Sequence, residues 1–189
     1  MVRELKYTEK KLLKKHNFYD YKSDGGHREN RVSQQYHLNK EKEEYRKYNT
    51  LCGSLRKLAN RLAKMDPEDP LRRKLESDMM DKLYRMGILK KSREQGAALS
   101  EVEHLGVANF ARRRLPNVMV AKSFIGTVTD AIRAIQTGDV RVGTEIITDP
   151  AFLVTRNMED YINWVDTSKY RLASKQYRGQ QDDYDTLQA

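Results

Sequence analysis

The sequence contains a single cysteine, Cys52, among 189 residues, so the chain cannot form an internal disulfide. Folds that depend on disulfides are therefore excluded, and a reducing compartment is expected. No stretch of the sequence approaches the ~20 consecutive apolar residues that a membrane-spanning helix requires. The N-terminal residues have no apolar core of the signal-peptide type. We therefore expect a soluble intracellular protein that does not enter a membrane.

Catalytic and metal-binding signatures are also missing from the sequence. The histidines lie far apart, and no cysteine accompanies them at the spacing of zinc ligands. Glycine-rich phosphate-binding motifs and the G-x-S-x-G motif do not occur. Asp149, Glu159 and Asp160 remain as candidate acid–base residues, but such carboxylates more commonly cap turns or pair with a nearby arginine such as Arg156. We therefore predict a protein without enzymatic activity, cofactor or metal ion.

What the sequence does have is positive charge concentrated at one end. The net charge is +9, with 36 Lys and Arg residues against 27 Asp and Glu residues. Residues 1–74 contain 20 of the basic and 11 of the acidic residues, so residues 75–189 are neutral overall. Because counterion release favours the binding of such a segment to a polyanion, an anionic partner is expected. The alternative is a basic surface that is merely well solvated.

Residues 1–38 form a basic N-terminal segment that is rich in tyrosine and histidine. The pair Gly25-Gly26 predicts a turn within it, because glycine tolerates a positive φ. We expect this segment to be an extended arm that becomes ordered mainly on binding, the alternative being a disordered tail without a specific partner. Its candidate contacts with RNA or a partner protein are Lys10, Lys11, Lys14, Lys15 and Arg28.

Residues 39–106 are predicted to contain a helical hairpin. Apolar residues recur every three or four positions over 40–65, which indicates one long helix with Cys52 on its apolar face as a core residue. Asp69 is a favourable N-cap and Pro70 a favourable first residue for a second helix, which should end at Gly87 and pair antiparallel with the first. The first helix carries further candidate contacts on its polar side: Arg56, Lys57 and Arg61.

The segment 107–168 changes from helical to strand-like periodicity. Residues 107–123 indicate a helix in which Pro116 either produces a kink or begins a new helix. A second helix over 127–137 has Thr127 as its N-cap, and Gly138 occupies the position of a left-handed stop. Beyond it, the alternation predicts a hairpin with its tip at 143–144 and a further strand over 161–165. We expect residues 169–189 to be a loose tail.

The basic residues of this segment can converge on one side of the helices and the hairpin. Guanidinium groups match phosphate oxygens in a bidentate geometry, and folded RNA is recognised largely through its shape and its phosphates. The alternative is that the arginines are solvated and pair with acidic residues such as Glu101 and Glu103. The candidate RNA-binding residues are Arg112, Arg113, Arg114, Lys122, Arg133 and Arg141.

Two stretches of the sequence resemble known families. The stretch "RRRLPNVMV…TVTDAIRAIQTGDVRVGTEIITDP" resembles the alpha-L RNA-binding domain of small-subunit ribosomal protein four, with Arg114-Leu115, Thr127, Gly138 and Gly143 at the matching places. The stretch "DPAFLVTRNMEDYINWVDTSK" and the N-terminal half are similar to a nucleolar relative of that protein, a family of U3 small nucleolar ribonucleoprotein proteins. At the start of the second helix, Thr127-Val128 stands where many such domains have Ser-Arg, so Val128 is not counted as RNA-binding.

The resemblance implies a mainly helical α+β fold: an N-terminal extended arm and a helical hairpin, followed by an alpha-L RNA-binding domain over 107–168 and a C-terminal tail over 169–189. It also implies a non-catalytic factor of the small-subunit processome in the nucleolus. Such a factor would bind U3 small nucleolar RNA and pre-ribosomal RNA, in the 18S region and the 5′ external spacer, and promote their pairing and the early cleavages. Its other partners would be an acidic scaffold protein and further processome proteins. The alternatives are a ribosomal protein of the same family and a protein adaptor bound mainly to the acidic scaffold.

Overall fold

The computed structural model describes residues 3–16, 26–91 and 98–179 of the chain. The fold is α+β and mainly helical, with one small antiparallel sheet, as the sequence predicted. Within these ranges, no helix combines the length and the apolar content needed to cross a membrane. The helices are α1 Tyr7–Lys15, α2 His27–Gln35, α3 Glu44–Lys64, α4 Pro70–Arg85, α5 Leu99–Glu103, α6 Val107–Ala111, α7 Leu115–Ala121, α8 Val128–Gln136 and α9 Lys169–Tyr177. The strands are β1 Val140–Val142, β2 Glu145–Ile146 and β3 Ile162–Trp164, and β3 is preceded by a 3-10 helix over Arg156–Tyr161.

The prediction that residues 1–38 form an extended arm is wrong for the part of this segment that the structure describes. That part forms α1 and α2, and Tyr36 and Leu38, just after α2, are buried in the main core. The reason is packing: Val32, Tyr36 and Leu38 contact the same apolar cluster as the long helix α3. Of the predicted glycine turn only Gly26 lies within the described residues, and its φ of 79° places it in the left-handed region. In contrast, α1 buries none of its residues.

The helix α4 begins and ends where its capping residues predict, whereas α3 is shorter than the predicted helix over 40–65 and has no side-chain cap at Glu43. The Asp69 carboxylate accepts a hydrogen bond of 2.9 Å from the backbone N–H of Leu71, and Pro70 is the first residue of α4. After α4, Gly87 has a φ of 74° and closes the helix. The helices α3 and α4 contact each other, but α3 packs more extensively on α5 and α6 than on α4. The predicted hairpin is therefore one part of a larger helical core, which includes Cys52, Leu62, Met80 and Phe110.

Pro116 begins a new helix and does not kink an existing one. The helix α6 ends at Ala111, and α7 begins at Leu115 with the proline in its first turn, where no intrahelical N–H is required. The backbone N–H of Leu115 instead donates a hydrogen bond of 2.9 Å to the carbonyl oxygen of Phe152. The break at residues 112–114 therefore lets the chain pair locally with the segment that precedes the 3-10 helix.

The elements from α8 to β3 form a second core and match the sequence prediction. The Thr127 hydroxyl caps α8 by accepting a hydrogen bond of 3.2 Å from the backbone N–H of Asp130. Gly138, with a φ of 79°, turns the chain from α8 into β1. The sheet order is β2-β1-β3, and both pairings of β1 are antiparallel. Leu115, Met119, Ile135 and Ile162 are among the residues that α7, α8 and the sheet bury together.

The prediction of a loose tail from residue 169 is also wrong within the described residues. The chain forms α9 there, and the Ser168 hydroxyl caps this helix by accepting a hydrogen bond of 3.3 Å from the backbone N–H of Tyr170. The helix is held against the sheet, because the rings of Trp164 and Tyr170 stack with their centroids 4.6 Å apart. The rest of the predicted tail, residues 180–189, lies outside the described residues.

Gly53 and Gly87 provide a matched test of the helical part of the fold. Gly53 lies within α3, and a Cβ added there would meet open space, so Gly53→Ala should raise the free energy of unfolding by about 1 kcal/mol. Gly87 has a left-handed φ, and an added Cβ would come within 2.5 Å of the Arg113 guanidinium. Gly87→Ala should therefore lower the free energy of unfolding by at least ~1–2 kcal/mol. Urea unfolding of both variants measures the two changes, and equal effects of the same sign would contradict the described turn.

Candidate nucleic-acid interface

The three consecutive arginines of the predicted basic cluster have three different environments. They lie in the break between α6 and α7, where the backbone is not continuously helical and successive side chains diverge. Arg112 is exposed, Arg113 is half-buried and Arg114 is buried. The prediction that all three arginines lie on one exposed side is therefore wrong, because only Arg112 is fully exposed.

Arg114 lies in the interior, and its side chain is 2% exposed. Its guanidinium forms an ion pair of 3.1 Å with the Glu44 carboxylate at the start of α3. The same guanidinium donates hydrogen bonds of 3.3 Å and 3.1 Å to the backbone carbonyls of Tyr36 and His37. Glu44 is buried as well, and it accepts a further hydrogen bond of 2.8 Å from the backbone N–H of Asn39. Arg114 therefore connects α7 to the segment between α2 and α3, and its guanidinium is not exposed on the surface as the sequence predicted.

Arg113 also has a largely internal role. Its guanidinium donates hydrogen bonds of 2.7 Å and 3.1 Å to the carbonyl of Val154 and forms an ion pair with Glu159 of the 3-10 helix. The backbone carbonyl of Arg113 accepts a hydrogen bond of 2.8 Å from the N–H of Val154. The residue thus attaches α6 to the segment before β3. The alternative interpretation, a solvated cluster that pairs with Glu101 and Glu103, does not describe Arg113 and Arg114 either, since their acidic partners are Glu159 and Glu44.

Four of the predicted RNA-binding side chains remain accessible on the surface. Arg112 is exposed and uses one nitrogen to donate a hydrogen bond of 2.9 Å to the Tyr36 hydroxyl. Lys122, at the end of α7, lies 2.9 Å from the Asp160 carboxylate and 3.7 Å from that of Glu159. Arg133, in the last turn of α8, has a side chain that is 73% exposed. Arg141, in β1, is 34% exposed and lies 3.6 Å from the Asp166 carboxylate.

The accessible cations are distributed over two clefts and one open surface. Lys122 and Arg141 line a groove between the sheet and α9. Lys122 also lines a larger cleft, together with Arg112, on the side of the 87–91 segment. Arg133 lines neither of these clefts and projects from α8. Lys122 is therefore the residue that connects the two basic regions.

The N-terminal candidates separate in a similar way. The lysines of α1 are all exposed: Lys10, Lys11, Lys14 and Lys15. Arg28 is exposed at the surface of α2, near Gly106. In α3, Lys57 and Arg61 are exposed, whereas the Arg56 guanidinium donates a hydrogen bond to the backbone carbonyl of Leu105. Arg56 therefore helps to attach α5 to α3, in addition to any role in binding.

The candidate catalytic carboxylates have structural roles in the described residues. Asp149 accepts a hydrogen bond of 3.0 Å from the backbone N–H of Ala151 and so closes a turn. Glu159 and Asp160 pair with Arg113 and Lys122, not with Arg156 as the sequence suggested. No group of histidine, cysteine and acidic residues within the described ranges could hold a metal ion.

Arg156 has a role that the sequence did not reveal. Its guanidinium donates hydrogen bonds of 2.8 Å and 2.6 Å to the carbonyls of Tyr84 and Leu89, and it lies 4.2 Å from the centre of the Tyr84 ring. It thereby connects the 3-10 helix to the end of α4. These partners are 72 and 67 residues away in sequence, so no local pattern could have indicated the contact.

Cys52 is buried on the inner face of α3, as predicted, and is 1% exposed. Burial raises the pKa of its thiol above the ordinary value, an effect that the nearby positive charge of Arg56 partly opposes. A thiol that is inaccessible and held in its protonated form is a poor nucleophile. The side chain is therefore part of the hydrophobic core.

Comparison with known proteins places these elements within two protein families. Residues 4–103 match the family described as Ribosomal protein S4/S9 N-terminal domain, and residues 113–160 match the S4 domain. The chain is 47% identical to the U3 small nucleolar ribonucleoprotein protein IMP3 of Saccharomyces cerevisiae, over 98% of this chain and 99% of the yeast protein. It is 37% identical to the Homo sapiens protein of the same name, over 98% of both chains. It is 30% identical to the small ribosomal subunit protein uS4 of Sulfurisphaera tokodaii, over 65% of this chain and 66% of that protein.

The buried ion pair between Arg114 and Glu44 leads to the first prediction for this region. Arg114→Ala should lower the free energy of unfolding by about 3–5 kcal/mol, because Glu44 is left buried without its partner. Arg133→Ala is the control, since that side chain is 73% exposed and should change stability by no more than ~0.5 kcal/mol. Chemical denaturation of both variants tests the assignment. An Arg114→Ala variant as stable as the wild type would show that the pair does not hold the two segments together.

The raised pKa of the Cys52 thiol leads to a prediction about pH. Because the folded-state pKa exceeds the unfolded-state value, this contribution to stability is complete below about pH 8.5 and is lost as the pH rises through the folded-state pKa. Burial also raises the pKa of Tyr48, so part of the alkaline loss will remain without the thiol. Unfolding of wild type and of Cys52→Ala across the alkaline range should show the steeper decline in the wild type. Parallel pH profiles would contradict a raised thiol pKa.

Proposed function

This chain belongs to the IMP3 family of U3 small nucleolar ribonucleoprotein proteins, and we propose from that membership that it is a non-catalytic RNA-binding factor in the biogenesis of the small ribosomal subunit. The observation that carries the proposal is the similarity to IMP3 proteins over 98% of the chain. The S4 domain match over residues 113–160 supports RNA binding as the activity. The yeast and human relatives are named small nucleolar ribonucleoprotein proteins, and this name supports a nuclear and nucleolar location for the chain.

The arrangement of charges supports binding to the RNA backbone. Within the S4 part, which is the match over residues 113–160, Lys122, Arg133 and Arg141 remain accessible, and Arg112 is exposed one residue before it. Arg113 and Arg114 instead form their contacts in the interior. Phosphate contacts by such residues position a protein on RNA and neutralise repulsion between strands. We propose that this neutralisation favours pairing of U3 small nucleolar RNA with pre-ribosomal RNA in the 18S region and the 5′ external spacer. The early cleavages toward 18S RNA would then depend on this pairing, and the chain itself would break no bond.

A second candidate function, as a protein adaptor, is supported by α1. This helix buries none of its residues and exposes Leu12 and Leu13 beside its lysines. An isolated helix of nine residues is marginally stable in water, so a partner that covers the leucines would stabilise it. We propose the acidic scaffold protein of the processome as that partner, because its charge complements the lysines. This contact can coexist with RNA binding by the S4 part.

Charge neutralisation of the exposed cations tests the RNA-binding proposal. The triple variant Lys122→Gln, Arg133→Gln and Arg141→Gln should bind a U3-derived RNA more weakly than wild type. Its plot of log affinity against log salt should be shallower by about 0.7–0.9 for each phosphate contact that is lost. Fluorescence anisotropy at several salt concentrations measures both quantities.

The control for that experiment is Lys74→Gln with Lys82→Gln on α4, which changes two exposed charges outside the proposed surface. This control should bind the RNA as the wild type does. Equal affinity and equal salt dependence of the triple variant and the control would refute the assigned surface. A wild-type protein that fails to bind RNA at low salt would refute the RNA-binding function itself.

A further inference from the structure

We propose that the groove between α9 and the three-stranded sheet binds a single-stranded segment of RNA, an inference that rests on the RNA-binding function proposed above. We call it the α9 groove, and its volume is about 620 Å³. It lies partly outside the S4 domain match, since α9 begins at Lys169 and the match ends at residue 160. The residues that carry the argument are Lys122, Arg141, Trp164, Tyr170, Arg171 and Arg178.

The charge of the α9 groove is one-sided. Five cationic side chains line it, and no carboxylate does so among the described residues. Asp166, which is 65% exposed, pairs with both Arg141 and Arg171. One carboxylate shared between two guanidinium groups leaves a net positive charge at that edge. Lys122 pairs with acidic residues of the 3-10 helix at the other edge, and Arg178 is exposed.

The α9 groove also contains an aromatic platform, which distinguishes RNA from an acidic peptide as its ligand. Trp164 from β3 and Tyr170 from α9 stack at an interplanar angle of 15°, and Phe124 contacts Trp164 edge to face. Tyr170 is 40% exposed, so part of this platform faces solvent. Proteins that bind single strands combine a basic groove for the backbone with aromatic side chains on which bases stack. An acidic peptide would use the cations but would gain little from the aromatic rings.

The groove is held in a fixed shape by contacts that do not involve a ligand. The Ser168 cap defines the start of α9, and the stacking of Tyr170 on Trp164 attaches the helix to the sheet. The backbone N–H of Val165 donates a hydrogen bond of 2.9 Å to the carbonyl of Asp139, which connects β3 to the turn after α8. Because the two walls are already positioned, binding requires little additional ordering, which favours affinity.

The chain contains one tryptophan, and its position in the α9 groove makes it a reporter of occupancy. The experiment titrates the full-length protein with an unlabelled uridine-rich single-stranded RNA and follows the fluorescence of Trp164. A fluorescein-labelled copy of the same RNA measures the affinity separately by anisotropy. We expect the Trp164 fluorescence to be quenched on binding, with a midpoint that matches the anisotropy curve.

Variants of α9 test the groove independently of the tryptophan signal. Arg171→Gln with Arg178→Gln should weaken binding of this RNA about tenfold, the loss expected for two solvent-exposed ion pairs with phosphate. The salt slope should fall by about 1.4, which is two single-strand contacts. The control is Lys74→Gln with Lys82→Gln on α4, and thermal unfolding verifies that each variant is folded.

The outcomes separate this inference from the function on which it rests. If the wild type binds neither the labelled RNA nor the U3-derived RNA, the proposed function fails. If it binds only the U3-derived RNA, the groove is not a site for single strands and the function stands. If the wild type binds but Trp164 does not respond, or if the α9 variant binds as tightly as the control, the groove is not the site and the function stands. If polyglutamate changes the Trp164 signal at lower concentration than the RNA does, the groove is a protein-docking site and the inference is overturned.

Discussion

The orientation of the two halves of this protein depends on the buried ion pair between Arg114 and Glu44. Arg114 lies at the junction of the two hydrophobic clusters, three residues after Ala111 of the first and directly before Leu115 of the second. Removing two charges from water is costly, and that cost is offset only when the geometry is good and the remaining hydrogen-bonding groups are satisfied. Two backbone carbonyls and the Asn39 N–H supply most of those additional contacts, and within the pair only the buried Nε of Arg114 has no hydrogen-bond partner among the described residues. A pair with such strict requirements favours one relative placement of the S4 part and the helical part.

This constraint changes how the basic residues of the chain should be interpreted. A run of three arginines suggests a polyanion-binding cluster, yet Arg113 and Arg114 satisfy backbone carbonyls and carboxylates in the interior. Arg56 and Arg156 have similar roles at other junctions. Arginine suits these positions because its guanidinium can donate several hydrogen bonds in fixed directions. The net charge available for RNA is therefore carried by fewer residues than the sequence suggests, and these lie mainly on α1, α3, the S4 surface and α9.

The sequence predicted those features of the fold that have local causes. Asp69, Thr127 and Gly138 determine where helices begin or end through contacts with residues close to them in sequence, so their positions were predicted correctly. The burial of Tyr36 and the partner of Arg114 were missed, because the residues involved are 70 or more positions apart. The tail prediction failed for a related reason: α9 is polar, and its attachment depends on the stacking of Tyr170 on Trp164. Spacing and composition do not distinguish a buried arginine from an exposed one.

The two ends of the chain offer binding surfaces with different physical properties. The helix α1 buries no residue, so its order depends on whatever covers it, and a partner must offset the cost of holding it in place. The helix α9 is already attached to the sheet, so a ligand in its groove meets positioned cations and rings. Binding at α1 should therefore tolerate partners of varied shape, whereas binding beside α9 should depend on fit. The two properties are complementary, because one surface can capture a partner loosely while the other holds its ligand in a defined position.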